Sequence, residues 1–566
     1  MSARILILGG YGTFGGRLAQ LLADEERLTI IVAGRSIESA KEFCSRNAAR
    51  ATMLPLAFDR DTDIEAQLRL AAPNIVVDAS GPFQGYGDDP YRVVKACIAL
   101  GINYIDIADG SAFVKGIAQF DGAAKARGVF VLAGASSFPV LTAAVVRMLS
   151  TEMQHIEEIT GGIASSPYAG VGLNVIRAVA SYAGKPVQTG LAGGEPAGYG
   201  LINAQRYVVR PPGKAPLPPI RFSLVDVPDL QLLPELWPNI RRVWMGAGPV
   251  PGILHRALNA FAWLVRLRLL PSLVPLARLM HNTINVLRWG KHRGGMFVEV
   301  RGTGAGGEAV ERSWHLLAEG EDGPYIPSMA AEALIRNLLA RRVPPAGARS
   351  AIGDVTLADY EGLFARRQIF TGCWRTKPPA PDAPLYQRVL GEAWNALPDP
   401  IRQMHDFHSE RVAEGSAEID RGTGVLARLV AKIFGFPAAG EDVSVRVSFT
   451  ARNGEETWRR TFGGSSFSSV QREGKGRLEG LLDESFGPFS LGLGLVVDGP
   501  VLRLEPLRWS FLGIPMPAML IPRGDTYEYA PDGRFHFHVE ISTPLTGLIV
   551  RYQGWLVPSA EAANEV

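Results

Sequence analysis

The sequence predicts an α/β protein that begins with a doubly wound parallel sheet and ends in a mostly antiparallel β domain. Three observations support this fold class. Short apolar strands alternate with helical patterns over the first 138 residues, which is typical of parallel βα units. A proline-rich stretch from Lys377 to Pro384 marks a change in composition. Beyond it, alternating strands are separated by turns such as Asn453-Gly454 and Asp532-Gly533.

Length and charge limit the function classes. With 566 residues the chain is expected to form two or three domains. A formal net charge of +2 without a basic block gives no indication of a nucleic-acid partner. Cys44, Cys97 and Cys373 are far apart, so neither a disulfide framework nor a zinc site is predicted. The chain enters a strand without an export-signal pattern, and we therefore expect a cytoplasmic protein.

The opening turn predicts a dinucleotide site of the Rossmann type. Arg4–Leu8 reads as a buried strand, and a G-x-G-x-x-G motif leads from it into an apolar-periodic helix. Gly10 permits the tight turn, Gly12 allows backbone amides to approach a pyrophosphate, and Gly15 allows close helix packing. The predicted binding turn comprises Gly9, Gly10, Tyr11, Gly12, Thr13, Phe14 and Gly15.

The second strand indicates which dinucleotide is bound. Leu28–Ser36 ends in Gly34-Arg35-Ser36, where a site for NAD carries an acidic residue. Arg35 would pair with a 2′-phosphate and Ser36 could donate a hydrogen bond to it, so the sequence favours NADP(H). Asp59 ends the third strand, Ala51–Asp59, and is included among the cofactor-binding residues.

Acidic residues at later strand ends are candidates for proton transfer. Three further strands are predicted at Asn74–Phe83, Ile102–Asp109 and Gly128–Ser136. Ligands of doubly wound sheets lie beyond the carboxyl ends of the strands. Asp109 and Asp106 are therefore the catalytic candidates, with capping of a helix or bracing of a loop as the alternative roles for Asp106.

Three segments together resemble the saccharopine dehydrogenase-like oxidoreductases. They are G-G-Y-G-T-F-G-G from Gly9, V-V-D-A-S-G-P-F-Q-G-Y-G from Val76, and A-C-I-A-L-G-I-N-Y-I-D-I-A-D from Ala96. The resemblance covers about the first two thirds of the chain. It implies an NADP-binding domain and an α+β second domain that carries substrate contacts and often forms a homodimer. The resemblance also places four residues along the nicotinamide side of the cofactor: Ala79, Ser80, Gly81 and Pro82.

The resemblance also bears on the acidic residue that follows the Y-x-D segment. The family often has a Gly-Glu pair there, whereas this chain has Asp109-Gly110.

Three domains are predicted from these patterns: residues 1–138, 139–376 and 385–558. The third resembles an uncharacterised bacterial C-terminal domain without a known activity. Its strands predict a curved sheet or barrel that could hold an apolar ligand. Trp458, Arg459, Arg460 and Phe462 form either a packing set or a ligand site. His405 and His408 lack further ligands nearby, so no metal site is predicted.

An apolar segment, Ala257–Met280, leaves three alternatives open. It is interrupted by arginines and prolines, which excludes a membrane-spanning helix. It could form an interfacial helix pair on the cytoplasmic face of a membrane, a lid over an apolar pocket, or two helices packed in the domain or at a dimer contact.

Two functions follow from these patterns. The first is an NADP(H)-dependent oxidoreductase that transfers a hydride to or from a small or lipid-like apolar substrate. The second is a non-catalytic NADPH-binding protein whose β domain binds a lipid or a protein partner.

Overall fold

The computed structural model describes residues 2–47, 49–194, 196–248, 252–288, 290–375 and 383–559. They form two compact units. The first comprises Met1–Tyr207 and Ile220–Phe370, and the second comprises Val208–Pro219 and the chain from Thr371 onward. Most of the predicted linker, residues 377–382, lies outside the described residues. The division of the first unit between residues 138 and 139 stays a prediction.

Strands and helices alternate at the start of the first unit, as the apolar periodicity predicts. The strands are β1 (Ala3–Leu8), β2 (Leu28–Gly34), β3 (Thr52–Ala57), β4 (Ile75–Asp78), β5 (Asn103–Asp106) and β6 (Phe130–Ala133). The helices are α1 (Thr13–Leu21), α2 (Ile37–Arg46), α3 (Ile64–Ala71), α4 (Arg92–Leu100), α5 (Ser111–Gly116) and α6 (Asp121–Arg127). Each crossover contains a helix, so neighbouring strands pair in parallel. Strand β4 is shorter than predicted because the Asp78 carboxylate accepts the Ser80 amide and turns the chain.

The rest of the first unit builds a second, mixed sheet. Its helices are α7 (Thr142–Leu149), α8 (Leu173–Tyr182), α9 (Asp229–Leu236), α10 (Gly252–Arg266), α11 (Ala277–Val286), α12 (Ile326–Leu339) and α13 (Leu357–Phe364). The strands of this region are β7 (Met153–Ala164), β8 (Pro186–Val187), β9 (Gly198–Tyr199), β10 (Ala204–Tyr207), β11 (Ile220–Leu224), β12 (Arg242–Ala247), β13 (Arg293–Gly304) and β14 (Ala309–Glu319). Strands β8 and β9 pair with each other in a separate two-stranded sheet. Strands β13 and β14 pair antiparallel and form a hairpin.

Two later strands complete the sheets. Strand β15 (Gly347–Ser350) returns to the first sheet, whose order is β15-β6-β5-β4-β1-β2-β3. Strand β16 (Ile369–Arg375) ends the second sheet, whose order is β10-β11-β12-β7-β13-β14-β16. The first order confirms the doubly wound topology. In such a sheet the ligand crevice lies where the winding reverses, here between β1 and β4.

The second unit is a closed antiparallel barrel with three helices. The helices are α14 (Leu385–Leu390), α15 (Asp399–His405) and α16 (Val425–Ile433). The strands are β17 (Glu410–Arg421), β18 (Gly440–Arg452), β19 (Glu455–Phe462), β20 (Ser465–Glu473), β21 (Leu482–Phe486), β22 (Phe489–Asp498), β23 (Val501–Phe511), β24 (Ile514–Pro515), β25 (Thr526–Tyr529), β26 (Phe535–Thr543) and β27 (Gly547–Pro558). Pairing of β22 with β23 closes the barrel. Asn453 and Gly454 both have positive φ, as the predicted hairpin turn requires.

The apolar segment Ala257–Met280 forms the end of α10 and the beginning of α11. Ala262 and Val265 pack into the first unit, whereas Phe261 and Trp263 on the same helix are exposed. No helix of the described ranges is long and apolar enough to cross a bilayer. One face therefore packs as in the third alternative, and membrane contact of the other face stays a prediction.

Candidate functional site

The glycine-rich turn between β1 and α1 is held by backbone contacts that leave no room for side chains. Gly9 has φ +71°, and the Gly12 amide donates to its carbonyl over 2.8 Å. A Cβ atom on Gly15 would lie 2.3 Å from the same carbonyl oxygen. Gly9 and Gly15 therefore require glycine, and α1 packs closely against the end of β1.

The N-terminus of α1 is open to an anion. Its N-cap residue is Gly12, which provides no side-chain hydrogen bond, and no acidic residue lies in the first turn. The first amides of the helix consequently lack an intrahelical acceptor and point towards the edge of the sheet. A pyrophosphate fits this arrangement because the amides and the helix dipole both favour negative charge.

The end of β2 places Arg35 and Ser36 beside the turn. The Ser36 amide donates to Tyr11 Oη over 3.0 Å, and the Tyr11 ring covers Gly34. Arg35 is exposed and forms no ion pair with any residue that the structure describes, so its guanidinium is open to a phosphate. Ser36 Oγ, in contrast, caps α2 and donates to Glu38 over 2.9 Å.

Asp59 follows β3 and closes a local turn. Its carboxylate accepts the Asp61 amide over 3.0 Å, and the preceding Phe58 amide donates to Gly34. The structure thus brings Asp59 towards the end of β2, while Arg60 stacks 3.1 Å from the ring centre of Tyr86.

The loop after β4 packs against the glycine-rich turn. A Cβ atom on Gly9 would meet the Ala79 carbonyl at 2.9 Å, so the two loops share one crevice. Ser80 Oγ donates to buried Asp78 over 2.6 Å and also lies 2.8 Å from Tyr86 Oη. This network holds the segment Ala79–Pro82 in place.

Helix α8, which belongs to the second sheet region of the first unit, contacts the loop after β4. Asn174 Nδ2 donates to the Gly81 carbonyl over 2.7 Å, and Thr13 lies against Gly172. Residues of both sheets therefore meet at the crevice where the predicted cofactor residues converge.

Asp106 is fully buried and braces two loops. Its Oδ1 accepts the amides of Ala108 and Gly134 over 3.0 and 2.8 Å. Burial raises the pKa of Asp106 to about 7, although both amides oppose the shift. This geometry favours the loop-bracing role over direct proton transfer to a substrate.

Replacing Asp106 with asparagine is expected to remove part of the pH dependence of stability. Because the folded-state pKa is raised, the free energy of unfolding is largest below the ordinary pKa and decreases as the pH rises towards 7. The asparagine carbonyl can still accept both amides. We expect the variant and the wild type to have similar free energies of unfolding at about pH 4. At about pH 8 the free energy of unfolding of the variant should be higher by on the order of 2 kcal/mol. Lost turnover without this gain would favour a catalytic role.

Asp109 lies at the mouth of the crevice and has a second carboxylate close by. Gln84, just after the Ala79–Pro82 segment, donates Nε2 to Asp109 Oδ1 over 3.2 Å. Burial raises the pKa of Asp109, and the charge of Asp226 raises it further. Burial also raises the pKa of Asp226, which accepts a 2.6 Å hydrogen bond from Ser111 Oγ.

Tyr182 completes this cluster from the end of α8. Burial raises the pKa of its hydroxyl, and the charges of Asp109 and Asp226 add to the shift. Neither carboxylate forms an ion pair within the described part of the chain. Two carboxylates and a neutral phenol thus lie close enough to shift one another's pKa values.

Asp226, Tyr182 and Asn174 were not among the predicted site residues. Asp226 follows β11, a strand that was not predicted, whereas the position of Asp109 after a predicted strand was the signal used for that residue. Asp226 lies 115 residues after Ser111 in the chain, and a contact between such distant segments leaves no pattern in the sequence.

Comparison with known families agrees with this geometry. Residues 5–132 match the saccharopine dehydrogenase NADP binding domain, and residues 397–556 match a domain of unknown function, DUF4166. No curated protein matches the sequence. The predicted NADP cofactor is confirmed by the first match, which also supports an oxidoreductase.

Solved structures resemble the fold at low similarity. Saccharopine dehydrogenase (L-Glu forming) from Saccharomyces cerevisiae is 13% identical with TM-score 0.47, covering 66% of this chain and 100% of its own. A mutant meso-dapdh from Clostridium tetani is 12% identical with TM-score 0.32, covering 63% and 96% respectively. From the family matches, the chain joins a saccharopine dehydrogenase-type NADP-binding domain at its N-terminus to a DUF4166 domain at its C-terminus.

Proposed function

We propose that the protein is an NADP(H)-dependent oxidoreductase in which Asp109 and Asp226 exchange the substrate proton. The observation that carries the proposal is the pair of carboxylates with raised pKa values next to the loop predicted to line the nicotinamide. Perturbed acids that lack an ion-pair partner are typical of sites that transfer protons.

The residues that would hold the cofactor are those of the crevice. The amides of the first turn of α1, from Thr13 onward, would bind the pyrophosphate, and Arg35 would bind the 2′-phosphate. Ser36, Asp59 and the Ala79–Pro82 segment remain proposed contacts. Bound NADP(H) supplies or accepts the hydride.

The carboxylate pair supplies the proton. Two close carboxyl groups resist double ionisation, so one retains a proton at higher pH than an isolated acid would. In the reductive direction that proton passes to the substrate oxygen or nitrogen, and in the oxidative direction the ionised pair receives it. Tyr182 stays protonated and can donate a hydrogen bond that positions the same atom.

The cluster also limits the substrate. An anionic group would be repelled by two carboxylates without a neighbouring ion-pair partner, so the reacting end is neutral or cationic, as in a ketone, aldehyde or imine. A small or lipid-like apolar substrate satisfies this condition. Homodimer formation and membrane contact through residues 257–280 remain predictions.

Turnover of NADPH by the purified full-length chain tests the proposal. Panels of aldehydes, ketones and imines are added, and the loss of NADPH absorbance is followed with and without each compound. Oxidation that depends on a substrate supports the oxidoreductase. Tight NADPH binding without turnover across all three panels would favour the alternative, a non-catalytic NADPH-binding protein whose β domain binds a lipid or protein partner.

A further inference from the structure

The interior of the C-terminal barrel contains a cavity of about 490 Å³. This volume lies in the range of small-molecule sites, roughly 300–1,000 Å³. Apolar side chains dominate its wall because alternate residues of each strand point inward. The aromatic part of the wall includes Phe434, Phe449, Phe462, Phe467, Phe535 and Phe537.

Two residues of the cavity wall carry buried polar atoms that have no hydrogen-bond partner among the described residues. Tyr386 is 0% exposed and stacks on His405 at 3.7 Å, but its hydroxyl has no hydrogen-bond partner among the described residues. Gln471 is 1% exposed; its Nε2 donates to Glu484, whereas its Oε1 has no partner there. Both residues line the cavity. Buried polar groups in proteins are normally satisfied, so these two atoms indicate a missing donor and a missing acceptor.

The charges around this polar end disfavour an anion. Arg460 lies 3.2 Å from Glu484 and therefore has its charge compensated. Glu528 forms a 2.7 Å contact with His405, and Glu456 accepts a hydrogen bond from the neighbouring Trp458. A carboxylate head would have to displace one of these partners. An uncharged hydroxyl can accept from Tyr386 and donate to Gln471 at once.

The cavity opens at the other end of the barrel. Helix α15 directly precedes β17 and α16 directly follows it, so the twelve residues of β17 separate the polar end from α16. Leu426 on α16 and Leu545 in the loop before β27 are 47% and 74% exposed, and both line the cavity. Arg523 and Glu540 are the charged residues of the wall on this side. The opening is thus largely apolar.

We propose that the barrel binds a single-chain lipid with an uncharged hydroxyl head. The head lies between Tyr386 and Gln471, and the chain extends past the aromatic wall towards Leu426 and Leu545. The proposal is independent of the chemistry at the cofactor crevice.

Binding of dodecanol to the full-length protein tests this assignment. Native mass spectrometry and calorimetric titration are carried out without NADPH, with dodecanoate and dodecane as matched probes of equal chain length. We expect one dodecanol per chain and at least tenfold weaker binding of both other compounds. Absence of dodecanol binding, or equal binding of all three, would overturn the proposal.

A tyrosine variant separates head recognition from apolar filling. Tyr386→Phe keeps the stacking on His405 and removes only the unpartnered hydroxyl. We expect its affinity for dodecanol to fall about tenfold, the range of one hydrogen bond, with no change for dodecane. Tyr529→Phe, outside the cavity wall, is the control and should bind as the wild type does. Unchanged dodecanol affinity of Tyr386→Phe would contradict the placement of the head.

Discussion

Asp109→Asn is expected to lower kcat by about a hundredfold to ten-thousandfold, the range of general acid–base catalysis. The asparagine carbonyl can still accept the hydrogen bond from Gln84, but the amide cannot act as a general acid or base. The measurement is turnover of whichever substrate the NADPH screen identifies, together with the dissociation constant of NADPH. Because Asp109 is not placed on the phosphates, NADPH affinity should stay within a few-fold of the wild type.

The variant Asp226→Asn provides the more specific readout. In the wild type, the negative charge of Asp226 raises the pKa of Asp109, so removal of that charge should lower the pKa of Asp109. Reduction needs the protonated acid, and the rate therefore falls as the pH rises through this pKa. In Asp226→Asn the fall should begin at lower pH than in the wild type. An unchanged pH profile together with an unchanged kcat for Asp109→Asn would show that the pair does not transfer the proton.

Arg35→Asp is expected to weaken NADPH binding by about a hundredfold and to improve NADH binding. A charge-assisted contact to the 2′-phosphate is lost, and a carboxylate that repels it is introduced at the place where NAD sites carry one. Calorimetric titration of both dinucleotides measures the change. The difference between them should also shrink at high salt, since Arg35 is exposed.

Glu38→Gln is the matched counterpart at the same strand end. Glu38 accepts the Ser36 hydroxyl, and hydrogen bonds of this end of α2 lower the pKa of its carboxyl group, so it carries a negative charge near the phosphate position. Its neutralisation should improve NADPH binding a few-fold and leave NADH unchanged. Equal, weak binding of both dinucleotides to the wild type and to both variants would contradict the assignment of this site.

The local parts of the fold could be predicted from the sequence because their causes are local. The strand, glycine turn and helix around Gly12 follow from periodicity and from backbone space, and Asp109 follows from its position after a strand. Contacts between distant segments left no such signal. Pairing of β22 with β23 closes the barrel, and the approach of Asp226 to Asp109 depends on how α9 and α5 pack.

The segment of residues 208–219 shows the same limit. Its prolines disfavour a regular helix or strand, but nothing in the sequence indicates that it belongs to the second unit. It forms the loop between β10 and β11, and its Gly213 carbonyl accepts the Val497 amide over 2.9 Å in the barrel.

Because of this loop, a single cleavage of the chain cannot separate the two units. The chain crosses between them after Tyr207, after Pro219 and after Phe370, so cleavage near residue 380 leaves part of the barrel on the N-terminal fragment. The C-terminal domain is therefore not one continuous segment that begins at the linker and can be transferred to another protein. A fragment from 383 onward lacks a segment of its own fold, and any transplant of the barrel has to carry residues 208–219 with it.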